Sequence, residues 1–339
     1  VSQWKALYQK CLENKSKFPK RKENKREKNA AEILFSWYLT YLNPVTSGKN
    51  MEERLADQFE RLDKSPSEYL KGVEDFYNAY CEVLAMQDWH AHLLSYLASD
   101  FWRIILCTSL LHRYSNQEIE ALKELLVKFY YQNWVAEQKE PKKQTNCNII
   151  NALKEKKSVE DIASIVKKYL DDNNKITQNF REKLKDDHLY EQHKRSSKNS
   201  WLKPILILVE YFMSDDPKPK RIQTNDFHVE HILPQNPDPS SQWVKDFSEE
   251  ERGLYTHSLA NLTLLGGTKN AQASNLDFKD KKKIYMGEEI TLGKKKPFKV
   301  MTCYKMTIDI AHHYTEWTPK SLEKRKEELI QIIESVLEL

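Results

Sequence analysis

His228-Val229-Glu230-His231-Ile232-Leu233-Pro234-Gln235 is the stretch from which this chain is best read. Some twenty residues later comes His257-Ser258-Leu259-Ala260-Asn261-Leu262-Thr263-Leu264-Leu265-Gly266-Gly267-Thr268-Lys269-Asn270, and after it Ser274-Asn275-Leu276-Asp277-Phe278 and a lysine-rich run to Tyr285. The first run is β-branched and apolar and ends in a proline, which predicts a strand entering a loop. Leu259 to Leu265 predicts a second strand, ended by Gly266-Gly267. Ser274 or Asn275 then caps a helix whose apolar positions are Phe278, Ile284 and Tyr285. Strand, strand, helix, with Glu-His on the first strand and Asn before the helix, reads as a ββα-metal site.

The stretch resembles the HNH (His-Me finger) nucleases, and most of all the C-terminal nuclease domain of GmrSD-type restriction proteins. The resemblance lies in V-E-H-I-x-P-Q, in H-x-L-x-N-L-T-L-L, in the later Asn270 with its lysine-rich helix, and in a final Trp-Thr before a long helix. It covers about residues 220–339. Ala260 stands where the family usually has glycine, and a small residue is retained.

The residue chemistry agrees with that likeness. Phosphodiester hydrolysis needs a water deprotonated near neutral pH, a task suited to an imidazole, and His231 is the candidate base. A divalent cation, Mg²⁺ or Mn²⁺, would neutralise the phosphate through hard oxygen ligands, and Glu230 and Asn270 are the candidate ligands. Adjacent strand residues face opposite ways, so Glu230 and His231 share one site only if the strand ends or twists there, as Pro234 allows. The resemblance implies that Asn261 braces the His231 loop through its backbone. His228, His231 and His257 could instead be zinc ligands, although structural zinc usually recruits cysteine and none lies between Cys147 and Cys303. His231 alone would read as an ordinary core histidine. For His228 and His257 a structural or phosphate-contacting role stands level with a catalytic one.

The 339 residues suffice for two domains. Five of the seven glycines fall between Gly253 and Gly293, so the front should be helical and the back rich in turns. We expect an α+β, mostly α, chain: a helical domain over residues 1–215, with a DNA- or partner-positioning role, then an HNH-type nuclease domain over residues 216–339. The formal charge is only +4. Lys279, Lys281, Lys282, Lys283, Lys294, Lys295, Lys296 and Lys299 nevertheless crowd near the proposed site. They form an electrostatic footprint for DNA unless they are merely a solvated surface. No apolar run reaches the ~18 residues of a membrane span. Five scattered cysteines without CxxC spacing fit a reducing cytoplasm. The first residue is Val, which suggests a processed chain or an excised fragment.

Along the front, helices are predicted around Ile33–Leu42, over Met51–Leu62, from Pro66 through Val83, within Trp89–Leu111, and over Asn116–Trp134 with Ser115 as cap. Trp89, Trp102 and Trp134 read as core rather than as a base-stacking platform. The basic 15–28 segment is a solvated face or a DNA arm. Val159–Leu170 is a short helix, and Asp171–Ser200 reads as a charged connector whose basic end, His193 to Lys198, is either linker or phosphate contact. Trp201–Met213 is an apolar helix able to pack on either side of the boundary. Ile290–Ile310 favours β-structure. Thr318 caps a final helix with Pro319 at its first position and Leu322, Leu329, Ile330, Ile333 and Val336 inward.

Two functions follow as expectations. The first is a metal-dependent DNA endonuclease or nickase of a GmrSD-like restriction, anti-phage system, acting on DNA that is often modified phage DNA. The second is a non-catalytic DNA- or partner-binding module on an HNH scaffold. The family's nucleotide-handling DGQxR-type motif does not occur in this sequence. Any nucleotide dependence is therefore expected from a segment or subunit outside this chain.

Overall fold

The computed structural model describes residues 1–23, 26–61, 64–171, 175–196, 198–266, 270, 273–291, 298–299 and 304–339. It is mostly helical with a few short strands, an α+β chain. Contacts divide it into two units. The first is Val1–Met86, Leu97–Phe129 and Glu140–Asp172; the second is Gln87–Tyr96, Tyr130–Lys139 and Asn173–Leu339.

The first unit is built of capped amphipathic helices. Asn29 and Glu32 close a capping box on Ala30–Leu42, and Ser65 and Glu68 close another on Pro66–Ala85, with the proline at the first turn. Ser115 accepts from the Glu118 amide at 3.2 Å at the head of Asn116–Glu137. Leu34, Trp37, Val73, Phe76 and Tyr80 are buried, and the Trp37 and Tyr80 rings meet edge to face at 5.0 Å. A Cβ at Gly72 would lie 2.0 Å from the Tyr38 hydroxyl, so any larger residue there would have to displace that ring. Trp102 is buried, as expected of a core residue, while Trp89 and Trp134, which fall in the second unit, are half-buried.

The second unit holds the quoted motif. His228–His231 pairs antiparallel with Leu262–Leu265, in the register His228 with Leu265 and His231 with Leu262. The helix Phe278–Tyr285 follows. Beneath these elements Ile232, Leu233, Trp243, Phe247, Ile284, Ile310, Trp317 and Leu322 form one apolar cluster. The long helix Pro319–Leu337 closes it, with Arg325 buried among its apolar residues. The Arg325 guanidinium donates to the Ala260 carbonyl and, at 2.8 Å, to that of Leu262. On Leu202–Ser214, Glu210 accepts from the Lys305 and Met306 amides at 2.8 and 2.9 Å, capping the helix Lys305–His313.

Several sequence expectations need correction. Leu259–Asn261 is a 3₁₀ turn, so the second strand begins only at Leu262. The Asn261 amide donates to the Ser258 carbonyl at 3.0 Å and closes the turn, while its carbonyl accepts from the Ile232 amide at 3.0 Å in register with the strand pair. The Phe278–Tyr285 helix starts from Asp277, in extended backbone, whereas Ser274 sits at φ +24°, outside the region a helix cap needs. The supposed connector contains the helices Ile176–Leu184 and Leu189–Ser196. Ile176, Phe180 and Leu184, spaced by four, are all buried, and that periodicity outweighs the local charge. Lys305–His313 is helix rather than strand. Leu337, not Val336, completes the inner face of the final helix. The contact division also differs from a boundary at 215/216: residues from Asn173 pack with the motif, because Trp201 and the Leu202–Ser214 helix are buried within that unit. Gly267, Lys294, Lys295 and Lys296 lie outside the described residues, as does the side chain of Lys299.

Arg325→Leu should leave two buried carbonyls without their donor. We expect it to lower the free energy of unfolding by about 2–3 kcal/mol, the scale for losing hydrogen bonds from a charged group, as read by urea denaturation.

Candidate active site

Along His228–His231 the side chains alternate, and so do their neighbours. Glu230 Oε1 accepts from Lys281 Nζ at 2.7 Å and from the Tyr285 hydroxyl at 2.9 Å. His231 turns the other way. Its ring meets that of Tyr190 edge to face at 4.3 Å and that of His257 at 5.4 Å. The Tyr190 and His257 rings are stacked, with an interplanar angle of 8°. The Tyr190 amide also donates to the His257 carbonyl at 3.1 Å, joining the 189–196 helix to the motif.

Despite the alternation, Glu230 and His231 open onto one cleft of about 660 Å³, together with His228, Asn270, Tyr190, His193, Lys194, Lys203, Gln235 and Ser274. Of the residues picked out from sequence, His228, Glu230, His231 and Asn270 thus share a wall. Asn261 does not line the cleft but is buried behind it. Its Oδ1 accepts from the Leu233 amide at 2.7 Å, and its Nδ2 donates to the Leu233 carbonyl at 2.8 Å. Those bonds fix the backbone two residues beyond His231. His257 stands behind the His231 ring, with its Nδ1 buried and unpartnered among the described residues.

The lysines divide differently from expectation. Lys281 is fully buried and carries a second bond, from Nζ to the His231 carbonyl at 2.7 Å. A lysine with no exposed surface is not a phosphate contact, so Lys281 leaves the set of DNA-binding candidates. Lys279 is exposed, and Lys282 and Lys283 are half-buried. None of the three lines the cleft, whose cations are Lys194 and Lys203. Lys203 Nζ donates to the Thr224 carbonyl at 2.9 Å, and Lys194 is exposed.

Electrostatics follow from burial. Burial pushes the Glu230 carboxyl up and the Lys281 ammonium down, and their mutual attraction opposes both shifts. Burial also pulls His231 down to about 3, assisted by His257, Lys281 and Lys194. The ring is therefore neutral at physiological pH. Its Nδ1 lies 3.3 Å from the Gln235 amide nitrogen, while Nε2 is buried without a hydrogen-bond partner among the described residues.

Zinc does not suit this arrangement. Among the described residues no three His, Cys, Asp or Glu side chains gather as metal ligands. A hard cation asks for less, since Mg²⁺ commonly takes one or two protein oxygens and keeps its waters. Glu230 Oε1 is committed, but Oε2 has no hydrogen bond among the described residues, and Asn270 lies half-buried on the same wall. That donor set fits Mg²⁺.

Sequence reading passed over Tyr190, Gln235, Tyr285 and the inward direction of Lys281. The last had a signal: Phe278, Lys281 and Tyr285 are spaced by three and four, one face of a helix.

Residues 172–332 match the family model described as GmrSD restriction endonucleases, C-terminal domain. A comparison with curated proteins gave no match to the chain. Among the described residues no helix is long and apolar enough to cross a membrane.

The depressed His231 has a consequence for stability. In the unfolded chain its pKa returns to about 6.5, so below that pH the unfolded state binds a proton that the folded state refuses. Stability is therefore lost as pH falls from about 6.5 toward 3. Between pH 7 and pH 5 this one group should remove about 2 kcal/mol. Urea titrations of wild type and His231→Ala at both pH values should show a smaller loss in the variant by that amount. Equal losses would place the imidazole in contact with solvent.

Proposed function

We propose, with residues 172–332 as a GmrSD restriction endonuclease C-terminal domain for premise, that this chain is a metal-dependent DNA endonuclease or nickase of the HNH type. On this reading it serves a restriction, anti-phage system. The observation that carries the proposal is a neutral imidazole, His231, opening onto the same cleft as Glu230 and Asn270, at the end of a strand whose following loop Asn261 holds.

His231 is the general base. A neutral ring can take a proton from water, although one held near 3 is weakly basic. An anionic phosphodiester in the cleft favours the imidazolium, raises its pKa, and so strengthens the base when substrate is present. Asn261 keeps the loop from shifting as that charge appears. Glu230 and Asn270 would hold Mg²⁺, or Mn²⁺ in its place. When bound, the cation supplies charge neutralisation at the scissile phosphate and the leaving oxygen. His228, Lys194 and Lys203 line the approach for the DNA backbone, with Lys279, Lys282 and Lys283 beyond the cleft wall. A nucleotide-handling partner and the choice of modified DNA belong to the same proposal.

The runner-up is a non-catalytic DNA- or partner-binding module, and one observation favours it: Lys281 already neutralises Glu230. Nicking of supercoiled plasmid with and without Mg²⁺ separates the two readings. His231→Ala should reduce nicking by a factor on the order of 10² or more with DNA affinity nearly intact. Full nicking by that variant would remove His231 as the base.

Nonspecific DNA affinity should fall with salt by a log–log slope of about −0.9 per contacted phosphate. Replacing Lys279, Lys282 and Lys283 with glutamine should shallow that slope and leave the cleft unaltered. An unchanged slope would show that DNA approaches by another face.

A further inference from the structure

We infer that Lys281, helped by Tyr285, is a positioning residue that determines how Glu230 meets a divalent cation; the inference rests on the nuclease reading above. Lys281 projects from the inner face of Phe278–Tyr285 and is fully buried. Its Nζ bonds Glu230 Oε1 and the His231 carbonyl, each at 2.7 Å, while Tyr285 donates to the same Oε1 at 2.9 Å. One ammonium therefore grips both the carboxylate of one residue and the backbone of the next.

Two donors fill the lone pairs of Oε1. The carboxylate, fixed by that oxygen, can offer the cleft only Oε2. Such one-oxygen ligation suits Mg²⁺ or Mn²⁺, whereas Ca²⁺ collects six to eight oxygens and often takes carboxylates two oxygens at a time. The buried ammonium also repels a second cation at the same carboxylate, and low local polarity strengthens that repulsion. Cation affinity is thereby held down until a DNA phosphate brings compensating negative charge. Metal and DNA then bind cooperatively, and by linkage each promotes the other equally. Lys281 gives up affinity for bare cation in exchange for a fixed carboxylate and a fixed His231 backbone.

A purely structural ion pair would stabilise the fold without these effects on the cation. The test is Mn²⁺ binding to the full chain, followed by the electron paramagnetic resonance of free Mn²⁺, with and without a non-cleavable DNA duplex. Competition with Ca²⁺ and the kinetics of nicking complete it. Lys281→Met should bind Mn²⁺ at least about tenfold more tightly without DNA, because a like charge is gone. It should gain relative affinity for Ca²⁺ and keep the enhancement of Mn²⁺ binding by DNA, which comes from the phosphate itself. Its kcat should fall while its Kd for duplex stays unchanged, since Lys281 is not a surface contact. Tyr285→Phe should shift Mn²⁺ affinity and kcat in the same directions by a few-fold with the fold intact, and it decides the matter if Lys281→Met does not fold. Mn²⁺ binding equal to or weaker than wild type in the folded variant would overturn the inference and leave the pair structural. Glu230→Gln separates the two levels. It should abolish tight Mn²⁺ binding, and if it does not, the metal site of the nuclease reading fails and this inference with it.

Discussion

Everything at the cleft hangs on the amide of Asn261. Its oxygen accepts from the Leu233 amide and from Trp317 Nε1, and its nitrogen donates to the carbonyls of Leu233 and Thr256. Two lone pairs and two hydrogens are all an asparagine side chain has, and all four are used. The residue is fully buried, so any bond given up would go unpaid by water. Three stretches are held in one place: the loop after His231, the turn before Ser258, and the segment leading into the final helix. Its backbone adds a fourth tie, accepting from Ile232 at 3.0 Å. A side chain of different shape or bonding capacity would free the loop that follows His231.

Around that fixed loop the fold concentrates charge where charge is expensive. Glu230, Lys281 and Arg325 are all nearly or wholly buried. Lys281 is satisfied by Glu230 and by the His231 carbonyl, and Arg325 by the carbonyls of Ala260 and Leu262. Removing either member of the Glu230–Lys281 pair would strand the other, at a cost of roughly 3–5 kcal/mol. Replacing both with apolar groups could be neutral for stability. Stability alone is thus a weak reason for such a pair. Its placement beside His231, with one carboxylate oxygen left toward the cleft, is a better one.

Much of this was legible in the sequence because it was written in local signals. Capping residues and prolines mark Ser65-Pro66, Ser115 and Thr318-Pro319, and helices begin at each. The quoted motif brought His228, Glu230, His231 and Asn270 together, and they do share a cleft. What escaped was decided by tertiary contacts. Leu259 to Asn261 is nearly as apolar as the strand it precedes, yet the Asn261 amide donates to the Ser258 carbonyl and that of Leu262 to Leu259, closing a 3₁₀ turn. In Asp171–Ser200 the density of charge masks an i, i+4 row from Ile176 to Leu184. Within Lys279-Asp280-Lys281-Lys282-Lys283 the four lysines are alike in chemistry, and only helical phase says which points inward.

The Leu189–Ser196 helix, in a stretch whose charge reads as a connector, brings side chains to the cleft. Tyr190 packs against His231 and His257, and His193 and Lys194 line the cleft, so the site includes side chains far upstream of His228. The match to the family model begins at residue 172, beside the point where the second compact unit resumes at Asn173. Earlier residues contribute as well. His92 bonds the Pro219 carbonyl at 2.8 Å and Tyr96 that of Ile222 at 2.6 Å, tethering the segment that leads into the His228–His231 strand. Gln132 Nε2 donates to the Leu337 carbonyl and secures the end of the final helix. A cut at 215/216 would therefore separate His231 from its aromatic wall and release the segment that sets the strand's direction. The short motif supplies one wall of the cleft, and distant, mostly helical stretches of the chain give its side chains their positions.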